Sequence, residues 1–269
     1  MLPERIASFL YLKIFFLIVV LVVIGAVIFK LTSEVTGSSF RNNSFSLLIV
    51  SKESKLIYVD KEAKNVMFLA LGDIERYVKG KNPLEASFAL GIPINAILVD
   101  KNPPLNLGEF IDPGNEVRLI FGQNVTFKGL NRYDIYRIAN AIRGAGKDSR
   151  LELRVNLFDQ DQVKEKVGDL FTDSTIRNQD ISIQIDNGTT INGLGSILAV
   201  ILGREGYNVI AVRTARPEIS SYIAFDGEHN SYVDSLRGLT KFDIKKEKRS
   251  PAADVTIFLG DDIDAMLSP

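Results

Sequence analysis

Residues 181–214 read ISIQIDNGTTINGLGSILAVILGREGYNVIAVRT and carry the clearest structural pattern in the chain. The first six residues read as a strand, and Asn187-Gly188 begins a loop. Residues 194–206 form a strongly apolar helical segment that ends near Gly206, and residues 207–214 read as a second strand. The stretch therefore predicts a strand, a helix and a second strand.

The same unit continues downstream with a second set of elements. Residues 221–225 (SYIAF) and 254–260 (DVTIFLG) read as strands, and Asn230 to Thr240 reads as a helix. The order β-α-β-β-α-β is complete within about 80 residues. That order is typical of a compact α/β sandwich whose helices cover one face of the sheet.

This unit resembles the C-terminal domain of the LytR family of bacterial envelope proteins. In that family a strand runs into an Asn-Gly-Thr/Ser loop with an apolar, small-residue helix behind it, here IQIDNGTTINGLGSILAVILGREGYNVIAV. The family domain ends on a strand of the form Asp-Val-Thr-Ile/Val-x-Leu-Gly-x-Asp, here Asp254 to Asp262. The resemblance covers residues 181–262 and implies a domain held outside the cytoplasm, near the cell wall.

The preceding unit, residues 44–158, mixes strands with helices. Strands are predicted at 45–50, 55–60, 65–72, 92–100, 117–121 and 151–158, and helical spacing occurs at 74–91 and 132–146. A polar connector at 159–180 joins the two units, and 263–269 forms a tail.

Within this unit, LEASFALGIPINAILVD (residues 84–100) resembles a segment of the LytR-CpsA-Psr catalytic domain. Proteins of that family transfer glycopolymers from a polyprenyl pyrophosphate carrier to peptidoglycan. Such a donor needs Arg or Lys to hold its charge, usually with a carboxylate-bound magnesium ion. The family's acidic and Pro-Arg positions are not matched at residues 51–54 or 70–73. We therefore expect a degenerate domain.

Three cations are the alternative phosphate contacts if this domain keeps a transferase activity. They are Arg76, Lys79 and Arg118. Magnesium would be needed only under that alternative, and no cofactor is expected otherwise.

An apolar run lies near the N-terminus. Residues 14–29 read IFFLIVVLVVIGAVIF, and a helix of this length covers about 24 Å. With its flanks, the span at residues 6–31 is long enough to cross a bilayer, and Lys13 and Lys30 would reach opposite interfaces. The alternatives are a cleaved signal peptide and a buried core helix, but KLTSEVTGSS offers no convincing cleavage site.

The predicted fold class is thus α/β (α+β), with a transmembrane helix followed by two mixed α/β domains. Residues 32–43 are small and polar and read as a short flexible tether. Basic residues lie on both sides of the span, so the positive-inside rule favours an N-terminus in the cytoplasm by a small margin. That orientation places the globular part outside the plasma membrane, on a single-pass protein.

Composition excludes several classes of function. The chain has no Cys, and its 32 Lys+Arg nearly balance 33 Asp+Glu, which argues against nucleic-acid binding. His229 is the one histidine, so a catalytic triad or a histidine metal site is not expected. Asp261, Asp262 and Asp264 read either as a magnesium or calcium site or as a solvated acidic tail. Residues 241–249 read as a solvated loop or strand edge.

One loop is a candidate ligand site, formed by Asn187, Gly188, Thr189, Asn192 and Gly193. Its amides could hold an anion at the start of the following helix. The competing interpretation is that the glycines satisfy the turn and that Asn192 caps the helix, which needs no ligand. No catalytic and no metal-binding residue is predicted.

Two functions follow from these features. The first is a membrane-anchored, non-catalytic envelope protein that binds peptidoglycan, another wall glycopolymer or a wall-assembly partner. The second is a divergent glycopolymer transferase of LytR-CpsA-Psr type. A transcriptional regulator is disfavoured by the anchor and by the charge balance.

Overall fold

The computed structural model describes residues 4–267 apart from positions 39, 41–43, 79, 101, 105, 123, 157–170 and 229. The helices are α1 Glu4–Thr36, α2 Glu75–Val78, α3 Pro83–Leu90, α4 Leu107–Phe110, α5 Pro113–Phe121, α6 Arg132–Gly144, α7 Ser174–Arg177, α8 Leu194–Glu205, α9 Ser231–Thr240 and α10 Asp261–Leu267. The strands are β1 Ser44–Val50, β2 Ser54–Asp60, β3 Asn65–Gly72, β4 Ala96–Asp100, β5 Val125–Lys128, β6 Arg150–Arg154, β7 Ser182–Asn187, β8 Asn208–Thr214, β9 Tyr222–Phe225, β10 Asp243–Lys245 and β11 Val255–Leu259. The predicted mixed α/β fold class is confirmed.

The first sheet has six strands in the order β5-β4-β1-β2-β3-β6. Strands β1, β2 and β3 pair antiparallel as a meander, while β4 joins β1 and β6 joins β3 in parallel. One face packs against α4, α5 and α6, and the other packs against α2 and α3. Covering both faces explains why β1 and β2 are buried at every position.

The second sheet has the order β10-β9-β11-β7-β8. Strand β7 pairs in parallel with both β8 and β11, and β9 pairs antiparallel with β11. Helices α8 and α9 contribute to one core cluster on a single face of this sheet. The β-α-β-β-α-β order is present, with the short edge strand β10 added between α9 and β11.

The segment VRLIF at 117–121 was expected to be a strand, and that prediction was wrong. It is the last part of α5, which begins at Pro113 behind the N-cap Asp112. Proline suits the first helical position, so the start signal lies upstream of the β-branched run. Leu119 is buried and Phe121 is exposed. Residues two apart would share one face of a strand, but they lie on different sides of a helix. Strand β4 is also shorter than expected and begins only at Ala96, after Pro93.

Helix α1 is apolar enough to cross a membrane over Lys13–Thr36, by length and composition. Its apolar side chains from Ile14 to Phe29 are exposed in the folded chain, unlike those of a core helix. The helix continues beyond Leu31 to Thr36, so the first five residues of the expected flexible tether are helical instead. The Thr32 and Thr36 hydroxyls donate to carbonyls one turn back and continue the helical pattern.

The two sheets are packed together rather than separated by an open linker. Leu84 and Phe88 of α3 belong to the apolar core of the second sheet. Phe171, from the connector, packs edge-on against Tyr58 of the first sheet at a centroid distance of 5.1 Å. The Arg204 guanidinium donates to the Gly91 carbonyl. Residues of both domains therefore contribute to the junction between the two sheets.

Candidate functional site

A polar cleft lies where the end of α1, α7 and α9 meet. Its volume is about 690 Å³, within the range of small-molecule binding sites. It is lined by Thr36, Gly37, Ser38, Asp173, Thr175, Ile176, Gln179, Ser231, Asp234, Ser235, Arg237, Gly238 and Lys241. These residues come from three distant parts of the sequence. Most of them carry hydroxyl, amide or charged groups, which suit a hydrated, polar ligand.

One wall of the cleft is held in place by a fully buried carboxylate. Asp134, on α6, accepts hydrogen bonds from the Ser38 hydroxyl and, at 3.3 Å, from the Phe40 amide. Its second oxygen accepts from the Asn131 amide at 2.9 Å, which completes a capping box at the start of α6. The Arg137 guanidinium donates to the Ser38 oxygen at 3.0 Å. Ser38 and Phe40, which follow α1, are therefore held in place by α6.

The opposite wall is the outer side of α9. It ends at Lys241, whose backbone is left-handed at φ 63° and whose amide donates to the Arg237 carbonyl at 2.8 Å. Glycine is the usual residue at such a position because it has no Cβ. Desolvation lowers the pKa of Lys241, and the charge of Asp134 opposes that change. Lys241 thus places its ammonium group at the edge of the cleft, beside Arg237, although its backbone conformation is strained.

Behind the cleft, the junction of the domains contains two neighbouring acidic groups. Asp173 caps α7 by accepting from the Thr175 and Ile176 amides, and its own amide donates to the Glu205 carbonyl at 3.0 Å. The Glu205 side chain is buried at the end of α8. Burial, reinforced by the charge of Asp173, raises the pKa of Glu205 to about 8, although a hydrogen bond with Asn95 opposes the shift.

The predicted ligand loop after β7 is organised mainly by its own hydrogen bonds. The Asn187 side chain accepts from the Thr189 amide and hydroxyl, at 3.1 and 2.7 Å, and donates to the Ile191 carbonyl at 3.1 Å. The N-cap of α8 is Gly193, at φ 82° and without a side-chain bond, so the expectation that Asn192 caps the helix was wrong. The role of this loop in ligand binding stays a prediction.

Close packing explains the glycine at position 188. A Cβ there would lie 2.5 Å from Phe258 Cζ and 2.9 Å from the Arg216 carbonyl oxygen. Gly188→Ala should therefore destabilise the fold by about 2–4 kcal/mol. Thermal unfolding of the full chain in detergent micelles, followed by circular dichroism, measures this.

Gly203 supplies the matched control, because a Cβ at this helical position would meet nothing within 4 Å. Gly203→Ala should stabilise the chain by about 0.5–1 kcal/mol. A Gly188→Ala chain as stable as the parent would show that packing does not require this glycine.

The alternative phosphate contacts are not brought together. Arg118 Nη1 lies 2.8 Å from Asp100 Oδ2, and Nη2 donates to the Asn102 carbonyl at 2.8 Å. Arg76 is exposed on α2, over the ring of Tyr77. Helices α2 and α5 pack on opposite faces of the first sheet. Lys79 lies outside the described residues, as does His229.

The acidic residues after β11 have a structural role in part. Asp262 accepts from the Ser221 amide at 2.9 Å and from its hydroxyl at 2.6 Å, which ties α10 to the start of β9. Across the described ranges, His, Asp and Glu side chains form no group of three that could hold a metal ion.

Sequence reasoning missed Arg249, which was placed in a solvated segment. Its guanidinium lies 4.5 Å from the Phe258 ring centroid and is paired with Glu218 at 2.6 Å, on the helix-free face of the second sheet. It also missed the cleft, because the lining residues are ordinary polar surface residues taken one by one. Arg237 and Lys241 lie one helical turn apart in the sequence, and this pair of cations was the signal that could have indicated the cleft.

Comparison with known proteins gives a family match for the second domain. Residues 180–262 match the family model described as LytR cell envelope-related transcriptional attenuator. No curated protein matches the chain. Among solved structures, the Lin1025 protein from Listeria innocua aligns with a TM-score of 0.30 and 12% identity over 43% of this chain and 83% of that one. TagV from B. subtilis aligns with a TM-score of 0.20 and 12% identity over 76% and 99%.

Structural alignments at these scores do not identify a shared function. The likeness of residues 44–158 to LytR-CpsA-Psr proteins therefore stays a prediction. The predicted LytR-like unit is confirmed by the family match, and the C-terminal part of the chain, residues 180–262, is similar to the LytR C-terminal domain of cell-envelope proteins.

Proposed function

We propose that the chain is a single-pass membrane protein whose two domains lie outside the plasma membrane and bind a cell-wall glycopolymer in the cleft beside α1. The observation that carries this proposal is the position of the cleft. It lies between the end of an apolar, exposed helix and α9 of the LytR-like domain. A protein built in this way presents a polar site at a fixed place next to its anchor.

The chemistry of the cleft suits an acidic or hydroxyl-rich polymer such as peptidoglycan. Ser231 and Ser235 offer hydroxyls that can donate or accept, and Arg237 and Lys241 offer charged donors. Charge-assisted hydrogen bonds are the stronger kind, so these two cations should contribute most to binding. The binding needs no catalytic group, so the proposed role is non-catalytic.

Co-sedimentation tests the proposal directly. The full chain in detergent micelles should pellet with purified peptidoglycan, and Arg237→Ala should weaken that binding by about tenfold because one charged hydrogen-bond donor is lost. Arg213→Ala is the matched control, because Arg213 is exposed on β8 and does not line the cleft. Equal weakening by both changes would point to nonspecific attraction and would contradict the proposal.

Lys241→Gly separates binding from folding. Glycine relieves the left-handed backbone at this position, so the free energy of unfolding should rise by about 0.5–1 kcal/mol. Peptidoglycan binding should fall at the same time, by about tenfold, because the cation is lost. Thermal unfolding and co-sedimentation of one preparation measure both. A variant that is more stable and binds as well as the parent would remove Lys241 from the site.

A second candidate function, the glycopolymer transferase, is favoured by one observation in the first sheet. The Lys55 ammonium is buried and has no hydrogen-bond partner among the described residues. Lys55 pairs with Ile49, one residue before β1 ends, and β4 runs parallel to β1 and ends at Asp100. Lys55 therefore lies at the same end of the sheet as Asp100 and its ion-pair partner Arg118. A pyrophosphate would supply the missing acceptor. Turnover of a polyprenyl-pyrophosphate glycan with magnesium, lost in Lys55→Met, would support this activity over pure binding.

A further inference from the structure

Contacts with α6, here called the clamp, hold Glu34, Ser38 and Phe40 in place where the chain leaves the apolar span. The Asn131 side-chain amide (Nδ2) donates to the Glu34 carbonyl at 2.7 Å, within the last turn of α1. Further along, Ser38 is bonded to Asp134, and the Arg137 guanidinium lies over the ring of Phe40. Successive residues of the chain therefore meet successive turns of α6. The two segments run in the same direction, and the first turn of α6 is the nearest to the bilayer.

Helix geometry fixes the height of that first turn. Lys30 marks the end of the apolar run, and Glu34 follows four residues later, which is about 6 Å of helix. The polar layer on each side of a bilayer is roughly 5–8 Å thick. If Lys30 lies at the boundary of the hydrocarbon core, the contact between Asn131 and Glu34 places the residues next to Asn131 on α6 at the depth of the lipid headgroups.

The exposed side chains at this depth are those of an interface. Arg132 is exposed and Tyr133 is half-buried. Tyr136 lies one turn farther along α6, is 47% exposed, and stacks on Tyr133 at a ring-centroid distance of 6.2 Å. Tyrosine favours the boundary of a membrane because its ring is apolar and its hydroxyl is polar. A cation in the first turn of a helix is opposed by the helix dipole, so Arg132 does not serve the stability of α6. Its guanidinium does match a phosphate group in geometry and charge.

We propose that Arg132 and Tyr133, backed by Tyr136 one turn farther along α6, form a headgroup surface, which rests on the phospholipid phosphates of the bilayer that holds α1. This inference rests on the proposed membrane anchor. The clamp and the headgroup surface together fix the orientation of both domains relative to the bilayer. The cleft is then held at a constant height above the lipid. The occupant is the lipid surface itself, since the apolar span and the headgroup surface are continuous along one rigid segment.

The absence of tryptophan from the sequence allows a clean depth measurement. Tyr133→Trp gives a full chain with a single tryptophan, which can be excited apart from the tyrosines. This chain is reconstituted into vesicles of phosphatidylcholine and phosphatidylglycerol that carry a headgroup nitroxide. Its emission should be quenched several-fold more than that of Lys52→Trp. Lys52 is an exposed turn residue between β1 and β2, at the far end of the first sheet from the clamp. Adding Arg132→Glu should reduce the quenching of the Tyr133→Trp chain.

The outcomes separate the two ideas. Equal quenching of both reporters, in chains that float with the vesicles, would overturn the headgroup surface and leave the anchor intact. A chain that fails to float with vesicles would overturn the anchor and the surface together. Unchanged quenching after Arg132→Glu would remove Arg132 from the contact.

Discussion

Asp134→Ala is expected to destabilise the chain by about 3 kcal/mol or more, which is among the largest effects of any single change outside the apolar core. The carboxylate is 0% exposed, and its removal leaves the Ser38 hydroxyl and the amides of Phe40 and Asn131 without their acceptor. The melting temperature should fall by roughly 6–12 °C. Thermal unfolding of the full chain in detergent micelles measures the shift.

Asp112→Ala is the matched control for Asp134→Ala. Asp112 also takes part in helix capping, as the N-cap of α5 that accepts from the amides of Gly114 and Asn115, but it is exposed. Its loss should cost about 1 kcal/mol. A comparable cost for the two changes would show that the clamp adds nothing beyond ordinary capping.

Asp134→Ala should also release Phe40, which follows α1, from its packed position. Phe40 is 2% exposed in the native chain because Asp134 and Arg137 hold it against Phe45. Thermolysin, which cuts before accessible apolar residues, should therefore cleave at Phe40 in the Asp134→Ala chain well below its melting temperature. Native-like resistance at that site would mean that the clamp does not depend on Asp134.

The sequence predicted the second sheet better than the first for a physical reason. Strand β7 alternates polar and apolar residues before Gly188, β11 is a short apolar run that ends before Gly260, and α8 ends at Gly206, so local signals and tertiary structure agree. In VRLIF at 117–121 they disagree. The β-branched run favours a strand, but the cap at Asp112 and the packing of Leu119 select a helix.

The candidate site was beyond sequence reasoning because its parts are far apart in the chain. Ser38, Asp173 and Lys241 meet only through the packing of α1, α7 and α9. Asp134 reads as an exposed first-turn residue of an amphipathic helix, and only the fold shows that the end of α1 covers it. The predicted loop at 187–193 was conspicuous for its glycines, of which Gly188 is explained by contact with Phe258.

Stability of the chain should fall as pH rises from about 4.5 towards 8, and Glu205→Gln should abolish most of that dependence. Burial raises the pKa of Glu205 from 4.5 to about 8, so in this window the folded chain binds a proton that the unfolded chain has released. The stability that this proton confers is complete below about pH 4.5 and is lost as pH passes through the folded pKa near 8. Above pH 8 the ionised carboxylate is buried beside Asp173.

Glutamine keeps the shape and the polar contact with Asn95 but cannot ionise, so the Glu205→Gln chain should be more stable than the parent above pH 8, by about 2–4 kcal/mol. Near pH 5 the two chains should be equally stable, because the parent is then neutral at this position as well. Urea unfolding in detergent micelles at both pH values, followed by tyrosine fluorescence, measures the difference. A stability gap that is the same at pH 5 and pH 9 would mean that Glu205 is charged throughout, and that the junction of the two domains tolerates the charge.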